Sequence, residues 1–219
     1  MKNKFDEFIE NESKKEYFID LFALIENESK SNNIFPSKDK IFECLKYSNP
    51  EELKLIIIGQ DPYYKKGYAD GLAFSTENKH CPKSLENIIT ELKKDYPSAL
   101  VETFSLKSWA KNHILLLNSV LTVSEDKPNS HSGFGWEIFI SNLLDFILEL
   151  NCNVIFGIWG KKAYSLIKDK VDDKRIIYTS HPSPLSYSKT NHSFKDSNFF
   201  KKVNAKLTNP IDFSIRKEN

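Results

Sequence analysis

Four short apolar runs constrain the fold of this chain more than any other feature of its sequence. The runs are LKLIIIG, ILLLNSV, CNVIFGIW and RIIYTSH, and each begins in polar sequence and ends at small or polar residues. Runs that are apolar throughout, rather than at every second position, are typical of strands covered on both faces. Such strands form parallel sheets with helices on each side, so the sequence predicts an α/β fold.

The segments around these runs have the spacing of helices. SLENIITELKKDY, WEIFISNLLDFILEL and KKAYSLIKD carry apolar residues three and four positions apart, as crossover helices do. The first fifty residues, in which the apolar series continues after Pro36, accommodate two further helices followed by a turn at Asn49-Pro50. We therefore predict a three-layer sandwich with a central four-stranded parallel sheet flanked by helices.

Length and composition fit a single domain over residues 1–219. With 40% hydrophobic residues the chain can bury a sizeable core, and no repeat, low-complexity tract or linker divides it. The formal net charge of +1 neither requires nor excludes a polyanionic partner. The three cysteines are widely spaced, lack a C-x-x-C pair and cannot supply four thiolates to a metal site, so we expect them to be reduced and buried.

The N-terminal sequence is charged throughout, which is not typical of a secretory leader. No apolar run in the chain approaches the roughly 20 residues that span a bilayer. We expect a soluble, intracellular protein without a membrane partner. The compartment would be the cytoplasm in a bacterium, or otherwise the nucleus or a viral factory.

Polar residues, glycines and prolines follow the carboxyl end of each predicted strand. The first strand leads into GQDPYY, the second carries Asn118 near its end, the third ends at Trp159-Gly160, and the fourth leads into HPSPLS. Because ligands of open α/β sheets bind outside the carboxyl ends of the strands, we expect the functional site at this edge.

Asp61 and His181 are the candidate catalytic residues at this edge. Each directly follows a predicted strand and precedes a proline, which holds the side chain on a stiff loop. An isolated Asp-Pro pair can instead form an Asx turn, and a lone histidine is more often structural than catalytic. An acid and a histidine at the ends of two different strands make a catalytic pair as strong an interpretation as these structural roles.

Several common catalytic motifs are absent from the sequence. It contains no G-x-x-x-x-G-K-[ST] phosphate loop, no G-x-G-x-x-G fingerprint and no H-E-x-x-H zinc helix. No nucleophile elbow precedes a helix either. These absences disfavour nucleotide hydrolysis, zinc proteolysis and acyl transfer.

Three segments carry a resemblance to a known family. GQDPYYKKGYADGLAFS, LLLNSVLTV followed by SHSGFGWE, and HPSPLS resemble the family 1 uracil-DNA glycosylases in order and spacing, roughly from Leu53 to Phe200. The resemblance implies the same sandwiched sheet. It also implies an enzyme that flips deoxyuridine out of DNA and hydrolyses the N-glycosidic bond without a metal or cofactor. The products would be free uracil and an abasic site, which initiates base excision repair.

The resemblance assigns a role to each candidate catalytic residue. Asp61 would position or activate the attacking water and stabilise the positive charge that develops on the sugar. His181 would donate a hydrogen bond to uracil O2 as negative charge develops on the leaving base.

The resemblance also assigns residues to uracil recognition. Asn118 would pair with the O4 and N3–H edge of uracil, a pattern that cytosine cannot match. Phe74 would stack on the base, Tyr63 would exclude the 5-methyl group of thymine, and the main-chain amides of Gln60 and Asp61 would complete the contacts. The alternatives are a strand-end cap for Asn118 and core packing for the two aromatic residues.

A further group would hold the distorted DNA. The resemblance places a leucine in the vacated base stack and small-residue loops against the phosphates. The matching residues here are Ser84, Gly160, Lys161, Ser183 and Leu185. The expected partner is uracil-containing single- or double-stranded DNA, with a proteinaceous inhibitor as a possible second partner, and the protein is expected to be a monomer.

The sequence departs from the family pattern near the site. Tyr64 stands where the family usually has histidine, Lys161 stands where serine is common, and Lys83 adds a charge beside Ser84. These changes put catalytic efficiency in doubt more than the reaction type. An alternative is a DNA-binding or replication-accessory module with weak activity or none. A glycosylase for another base, such as mismatched thymine, would require Tyr63 to move aside.

Overall fold

The computed structural model describes residues 3–217 and contains two sheets. A small antiparallel pair joins β1 (Ile34–Phe35) to β4 (Val123–Ser124). The main sheet is parallel, and its four strands are β2 (Leu55–Gly59), β3 (Ile114–Asn118), β5 (Ile155–Trp159) and β6 (Ile176–Thr179). The four apolar runs thus form the predicted parallel sheet, whereas the short antiparallel pair was not predicted.

The strand order in the main sheet is β3-β2-β5-β6. Every residue of β2, β3 and β5 is buried, as expected for strands covered on both faces. Strand β3 pairs with one edge of β2. The chain then crosses over to β5, which pairs with the other edge of β2, and β6 follows beyond β5. The carboxyl ends of β2 and β5 therefore flank a topological switch point, where such sheets bind ligands.

Seven α-helices surround the sheet in the part of the chain that the structure describes. The predicted crossover segments contain α3 (Lys83–Asp95), α5 (Trp136–Leu150) and α6 (Lys161–Ser165). The remaining helices are α1 (Lys4–Glu12), α2 (Glu16–Ser29), α4 (Lys107–Lys111) and α7 (Phe199–Asn204). The α/β sandwich predicted from the sequence is confirmed.

The N-terminal prediction needs a correction. Two helices occur there, but both end before Lys30, and the segment after Pro36 forms only short 3-10 turns at 38–40, 43–45 and 50–52. Ile41, which follows the first of these turns, and Leu45, in the second, are both buried. Their helical spacing reflects burial of single side chains and not a continuous helix.

Aromatic contacts join the helices into two groups. Phe139 of α5 lies 5.5 Å from Phe8 of α1 and 5.9 Å from Phe18 of α2, measured between ring centroids. Phe200 of α7 lies 5.7 Å from Trp109 of α4. A Cβ atom on Gly157 of β5 would lie 2.6 Å from the ring of Phe199, so glycine is required for α7 to approach the sheet.

All three cysteines are free, but only Cys44 is buried. Cys81 is partly buried and Cys152, in the turn between α5 and β5, is exposed. The expectation that all three are buried was therefore wrong for Cys81 and Cys152, because a turn between two elements places its side chains toward solvent. Within residues 3–217, none of the helices has the length and apolar character needed to cross a membrane.

Candidate functional site

Two adjoining cavities open at the switch point, and together they contain every residue that the sequence placed in the site. The first cavity, of about 160 Å³, is lined among others by Gln60, Asp61, Tyr63, Phe74, Ser84, Asn118 and His181. The second, of about 380 Å³, shares Gln60 and His181 with the first and is lined also by Gly160, Lys161, Ser183 and Leu185. Residues from five separate parts of the chain thus converge on one crevice.

Asp61 directly follows Gln60 in the loop after β2. Its Oδ2 accepts a hydrogen bond of 2.8 Å from the main-chain N–H of Asn129. Burial raises the pKa of Asp61, while the Asn129 hydrogen bond and the positive charge of Lys162 oppose that rise. The result is a partly desolvated carboxylate in a fixed orientation, which suits a group that positions water or stabilises a nearby cation.

His181 follows β6 and turns its Nδ1 toward its own loop. Nδ1 accepts a hydrogen bond of 3.0 Å from the main-chain N–H of Ser183. Burial lowers the pKa of His181, which favours the neutral ring. In a neutral imidazole that accepts through Nδ1, the proton resides on Nε2. The ring can therefore donate a hydrogen bond from Nε2 without carrying a charge.

Asn118 is the last residue of β3 and is only 7% exposed. A Cβ atom on the neighbouring Gly59 would lie 2.3 Å from Asn118 Oδ1 and 3.0 Å from Ala73 Cβ. The glycine thus leaves room for the amide at the floor of the first cavity, where a fixed donor and acceptor can recognise the edge of a planar base.

Phe74 and Tyr63 form an aromatic wall of the first cavity. Phe74 has a positive φ of 64°, and its ring centroid lies 5.0 Å from that of Trp159 and 5.6 Å from that of His181. The Tyr63 hydroxyl donates a 3.1 Å hydrogen bond to the carbonyl of Phe74. Burial raises the pKa of Tyr63, so it stays neutral. These contacts hold both rings in place against the cavity.

Leu185 projects from the loop that follows His181 and is 81% exposed, more than any other large apolar side chain in residues 3–217. The loop beneath it is well anchored. Ser186 Oγ donates to the carbonyl of His181 at 3.0 Å, and Asn87 Nδ2 of α3 donates to the carbonyl of Pro182 at 2.7 Å. An exposed leucine on a rigid loop is suited to insertion into a partner.

The other candidate DNA contacts surround the same opening. Ser84 lies in the first turn of α3, and Lys161 is exposed at the start of α6. Gly160, between β5 and α6, has a φ of +97°, and a Cβ atom there would lie 3.3 Å from His181 Cβ. Glycine is therefore favoured at this turn by both its backbone conformation and its close approach to His181.

Sequence reasoning missed Asn129, which contacts two of the predicted residues. Its N–H binds Asp61, and its side-chain Oδ1 accepts a hydrogen bond from Gln60 Nε2. Asn129 is 68 positions from Asp61 and has a positive φ of 60°. Its proximity to the SHSGFGWE segment was the one signal available. His131 in that segment is fully buried between the hydroxyls of Thr122 and Ser124, which holds the loop in place.

Tyr64, the main departure from the family pattern, also lines the first cavity. It is 36% exposed, and its carbonyl accepts a hydrogen bond of 3.0 Å from the Asp126 N–H. The substitution therefore changes the wall of the cavity. Among residues 3–217, no group of three or more His, Cys, Asp and Glu side chains is placed to hold a metal ion.

Residues 45–208 match the family model described as the Uracil DNA glycosylase superfamily. The chain belongs to this superfamily. A uracil-DNA glycosylase of Mesomycoplasma hyopneumoniae is 44% identical over 204 residues, which cover 93% of this chain and 92% of that protein. One of Clostridium perfringens is 38% identical, with 97% of this chain and 96% of that protein covered.

Solved structures agree with this membership. The crystal structure of mimivirus uracil-DNA glycosylase superposes with a TM-score of 0.88 at 30% identity, covering 98% of this chain and 87% of that one. A variant of the mimivirus protein has also been solved in complex with UGI.

Proposed function

We propose that this protein is a uracil-DNA glycosylase, which hydrolyses the N-glycosidic bond of deoxyuridine in DNA and releases uracil. The observation that carries the proposal is the convergence of Asp61, Asn118 and His181 on one small cavity at the switch point of the sheet. The names of close relatives over nearly the whole chain support the same activity.

The proposed reaction uses Asp61 on the sugar side of the scissile bond. As the bond breaks, the sugar develops oxocarbenium character and the base develops negative charge. An ionised Asp61, held through Oδ2 by the Asn129 N–H, stabilises the sugar and orients the attacking water. Water adds its hydroxyl group to C1′ as the bond to the base breaks, and the proton that it loses neutralises the uracil anion, so that uracil is released.

Asn118 and His181 act on the base side of that bond. The Nε2–H of neutral His181 donates to uracil O2, where charge accumulates in the transition state. The Asn118 amide pairs with O4 and N3–H, and Phe74 stacks on the ring. Tyr63 occupies the side at which thymine carries its methyl group, and the Gln60 and Asp61 amides complete the contacts.

Leu185 is proposed to enter the space that the flipped nucleotide leaves in the base stack, since it is 81% exposed at the rim of the second cavity. Ser84, Gly160, Lys161 and Ser183 would hold the neighbouring phosphates. These contacts are short and local, which is compatible with a net charge of only +1.

We further propose that the protein is a family 1 enzyme that works as a monomer, with residues 1–219 forming one domain. One continuous hydrophobic core runs through both helix groups and supports the single domain. A proteinaceous inhibitor is a candidate partner, because a mimivirus relative forms a complex with UGI. Relatives in bacteria such as Clostridium perfringens support action on DNA in the cytoplasm.

The first experiment is uracil release from oligonucleotides with a single uracil, in the presence of EDTA. We expect release from uracil but not from thymine or cytosine controls. Asp61→Asn and His181→Leu should each lower kcat by about 10²-fold or more, since each removes charge stabilisation from the transition state. Asp20→Asn, an exposed acid on α2, is the matched control and should leave the rate unchanged.

Two outcomes would count against this proposal. Tight DNA binding with no release by the unaltered protein would favour the accessory-module alternative. A loss of release in EDTA, restored by a divalent cation, would contradict a metal-free reaction.

A further inference from the structure

A third groove, of about 680 Å³, adjoins the second cavity and has no role in the reaction described above. The rings of Tyr164 and Tyr178 lie in its wall, and Ile176, the first residue of β6, also lines it. Lys161 lines both this groove and the second cavity, so the two adjoin at this residue. A chain that leaves the rim near Leu185 can therefore reach the groove by passing Lys161.

The two tyrosines form a rigid aromatic surface. Their ring centroids are 5.5 Å apart with an angle of 66° between the planes, and both residues are partly buried against the core. A ring fixed by packing loses little conformational entropy when a flat ligand stacks on it. Nucleic-acid bases stack on such rings without sequence preference, since every base has a π face.

The charge of the segment agrees with a nucleic-acid ligand. Residues 161–175, KKAYSLIKDKVDDKR, contain six Lys or Arg and three Asp, a net charge of +3 against +1 for the whole chain. Lys170 is paired with Asp145, and Arg175 donates to the carbonyl of Val154. Lys161 and Lys168 are exposed at the groove, where Lys168 lies 3.9 Å from the carboxylate of the exposed Asp169 and Asp173 is the acid in the lining.

We propose that this groove binds unpaired nucleotides flanking the flipped deoxyuridine in single-stranded DNA, with bases stacked on Tyr164 and Tyr178 and phosphates near Lys161 and Lys168. The inference rests on the proposed glycosylase function. A DNA strand fits better than a second copy of the chain, because a two-fold contact would place two such basic segments together. The position of the groove beside the second cavity, with Lys161 in both linings, favours the substrate strand over an unrelated ligand.

The test compares single-stranded substrates that differ in the length of one flank. The shortest substrate carries two nucleotides on each side of the uracil. Two longer substrates each add six nucleotides, one on the 5′ side and the other on the 3′ side. For the unaltered protein, extension on one side should raise kcat/KM by about fivefold or more, the effect of about one stacked base. The gain should be smaller in a duplex, where the flanking bases are already stacked.

Variants test whether this gain in kcat/KM depends on the groove. Tyr164→Leu keeps an apolar side chain but removes the ring and should abolish the gain, whereas Tyr164→Phe should retain it. Lys168→Gln should reduce the gain, whereas Lys30→Gln, at the exposed C-terminal cap of α2, should not. Activity on the shortest substrate and the Tm should stay near the values of the unaltered protein, which separates loss of the groove from unfolding.

Absence of a length-dependent gain, or its persistence in Tyr164→Leu, would overturn the proposal. Dimerisation in the absence of DNA that Tyr164→Leu abolishes would assign the groove to a second copy and would also overturn it. Release from none of these substrates would instead be a failure of the proposed function.

Discussion

The two proposed catalytic side chains differ in what acts against the effect of burial: the positive charge of Lys162 and a main-chain N–H oppose the rise in the pKa of Asp61, whereas burial alone shifts the pKa of His181. Asp61 accepts the main-chain N–H of Asn129 and lies near Lys162, and both favour the carboxylate against the rise in pKa that burial causes. His181 accepts a main-chain N–H through Nδ1, and burial lowers its pKa. The cavity thus combines an anion for the sugar with a neutral donor for the base, each on its proposed side of the bond.

At the same scale, Asn129 should be a positioning residue for Gln60 and Asp61. Asn129→Gly keeps the N–H donor and the positive φ but loses the side-chain contact to Gln60. We expect kcat/KM to fall by about tenfold or less, through KM, with little change in Tm. Asn129→Ala adds about 1–2 kcal/mol of backbone strain at φ 60° and should be less stable than the glycine variant.

Thermal unfolding and steady-state kinetics of both variants check this prediction. At an ordinary loop position alanine is more stable than glycine, because glycine loses more conformational entropy on folding. An alanine variant as stable as the glycine variant, or more so, would therefore contradict the importance of the left-handed conformation.

At the scale of elements, the segment between β2 and α3 builds most of the first cavity, although it contains neither strand nor helix. Its conformation is set by buried hydrogen bonds. Asp70 accepts from the Leu72 N–H at 3.1 Å and from Ser75 Oγ at 2.5 Å, and Ser75 Oγ accepts from the Leu106 N–H at 2.8 Å. The bond to Leu106 connects the segment to the residues that precede α4. Phe74 lies between Leu72 and Ser75, which both take part in these bonds.

Asp70 should make the stability of this segment depend on pH. Burial raises the pKa of Asp70 to about 6, above the ordinary value of 3.8, so the folded state holds the proton more tightly than the unfolded state. The stabilisation by that proton is fully present below pH 3.8 and is lost as the pH rises through about 6. Its size is on the order of 2–3 kcal/mol.

Asp70→Asn, which keeps a neutral side chain of the same shape, should remove this pH dependence and raise the Tm at pH 7. The free energy of unfolding of both proteins, measured between pH 4 and 8, checks the prediction. Asp20→Asn is the exposed control. An unchanged slope in the Asp70 variant would mean that the carboxyl group does not titrate in this range.

At the scale of the whole molecule, the sheet topology brings the site together. Gln60 and Asp61 follow β2, Gly160 follows β5 and His181 follows β6, and the parallel arrangement places all these ends at one edge. The net charge is too small for long-range attraction of DNA. Association should therefore depend on a few local cations and on the exposed apolar Leu185.

The salt dependence of activity should reflect this charge distribution. We expect log kcat/KM to decline only slightly with log salt concentration, because the slope follows the number of phosphate contacts and few are expected here. Lys161→Gln should reduce the magnitude of the slope by about one. Lys14→Gln, which alters an exposed lysine in the turn between α1 and α2, should leave the slope unchanged. An unaltered slope in the Lys161 variant would argue against a phosphate contact at this residue.

The sequence by itself determined the four buried strands, the crossover helices and the edge of the sheet that carries Asp61, Asn118 and His181. It could do so because residues close together along the chain indicate both a strand that is buried on two faces and a loop rich in polar residues, glycine and proline. The interpretation of the spacing after Pro36 as helical was wrong because periodicity does not distinguish short turns from helices. The predicted burial of Cys152 was wrong because the sequence does not reveal which turn faces solvent.

Only the tertiary structure decided which distant residues meet. The strand order, the Asn129 contacts to Gln60 and Asp61, and the buried bonds of Asp70 depend on how the packed chain brings separate loops together. The pKa shifts of Asp61 and His181 arise in the same way, since burial is a property of the folded molecule and not of a local pattern.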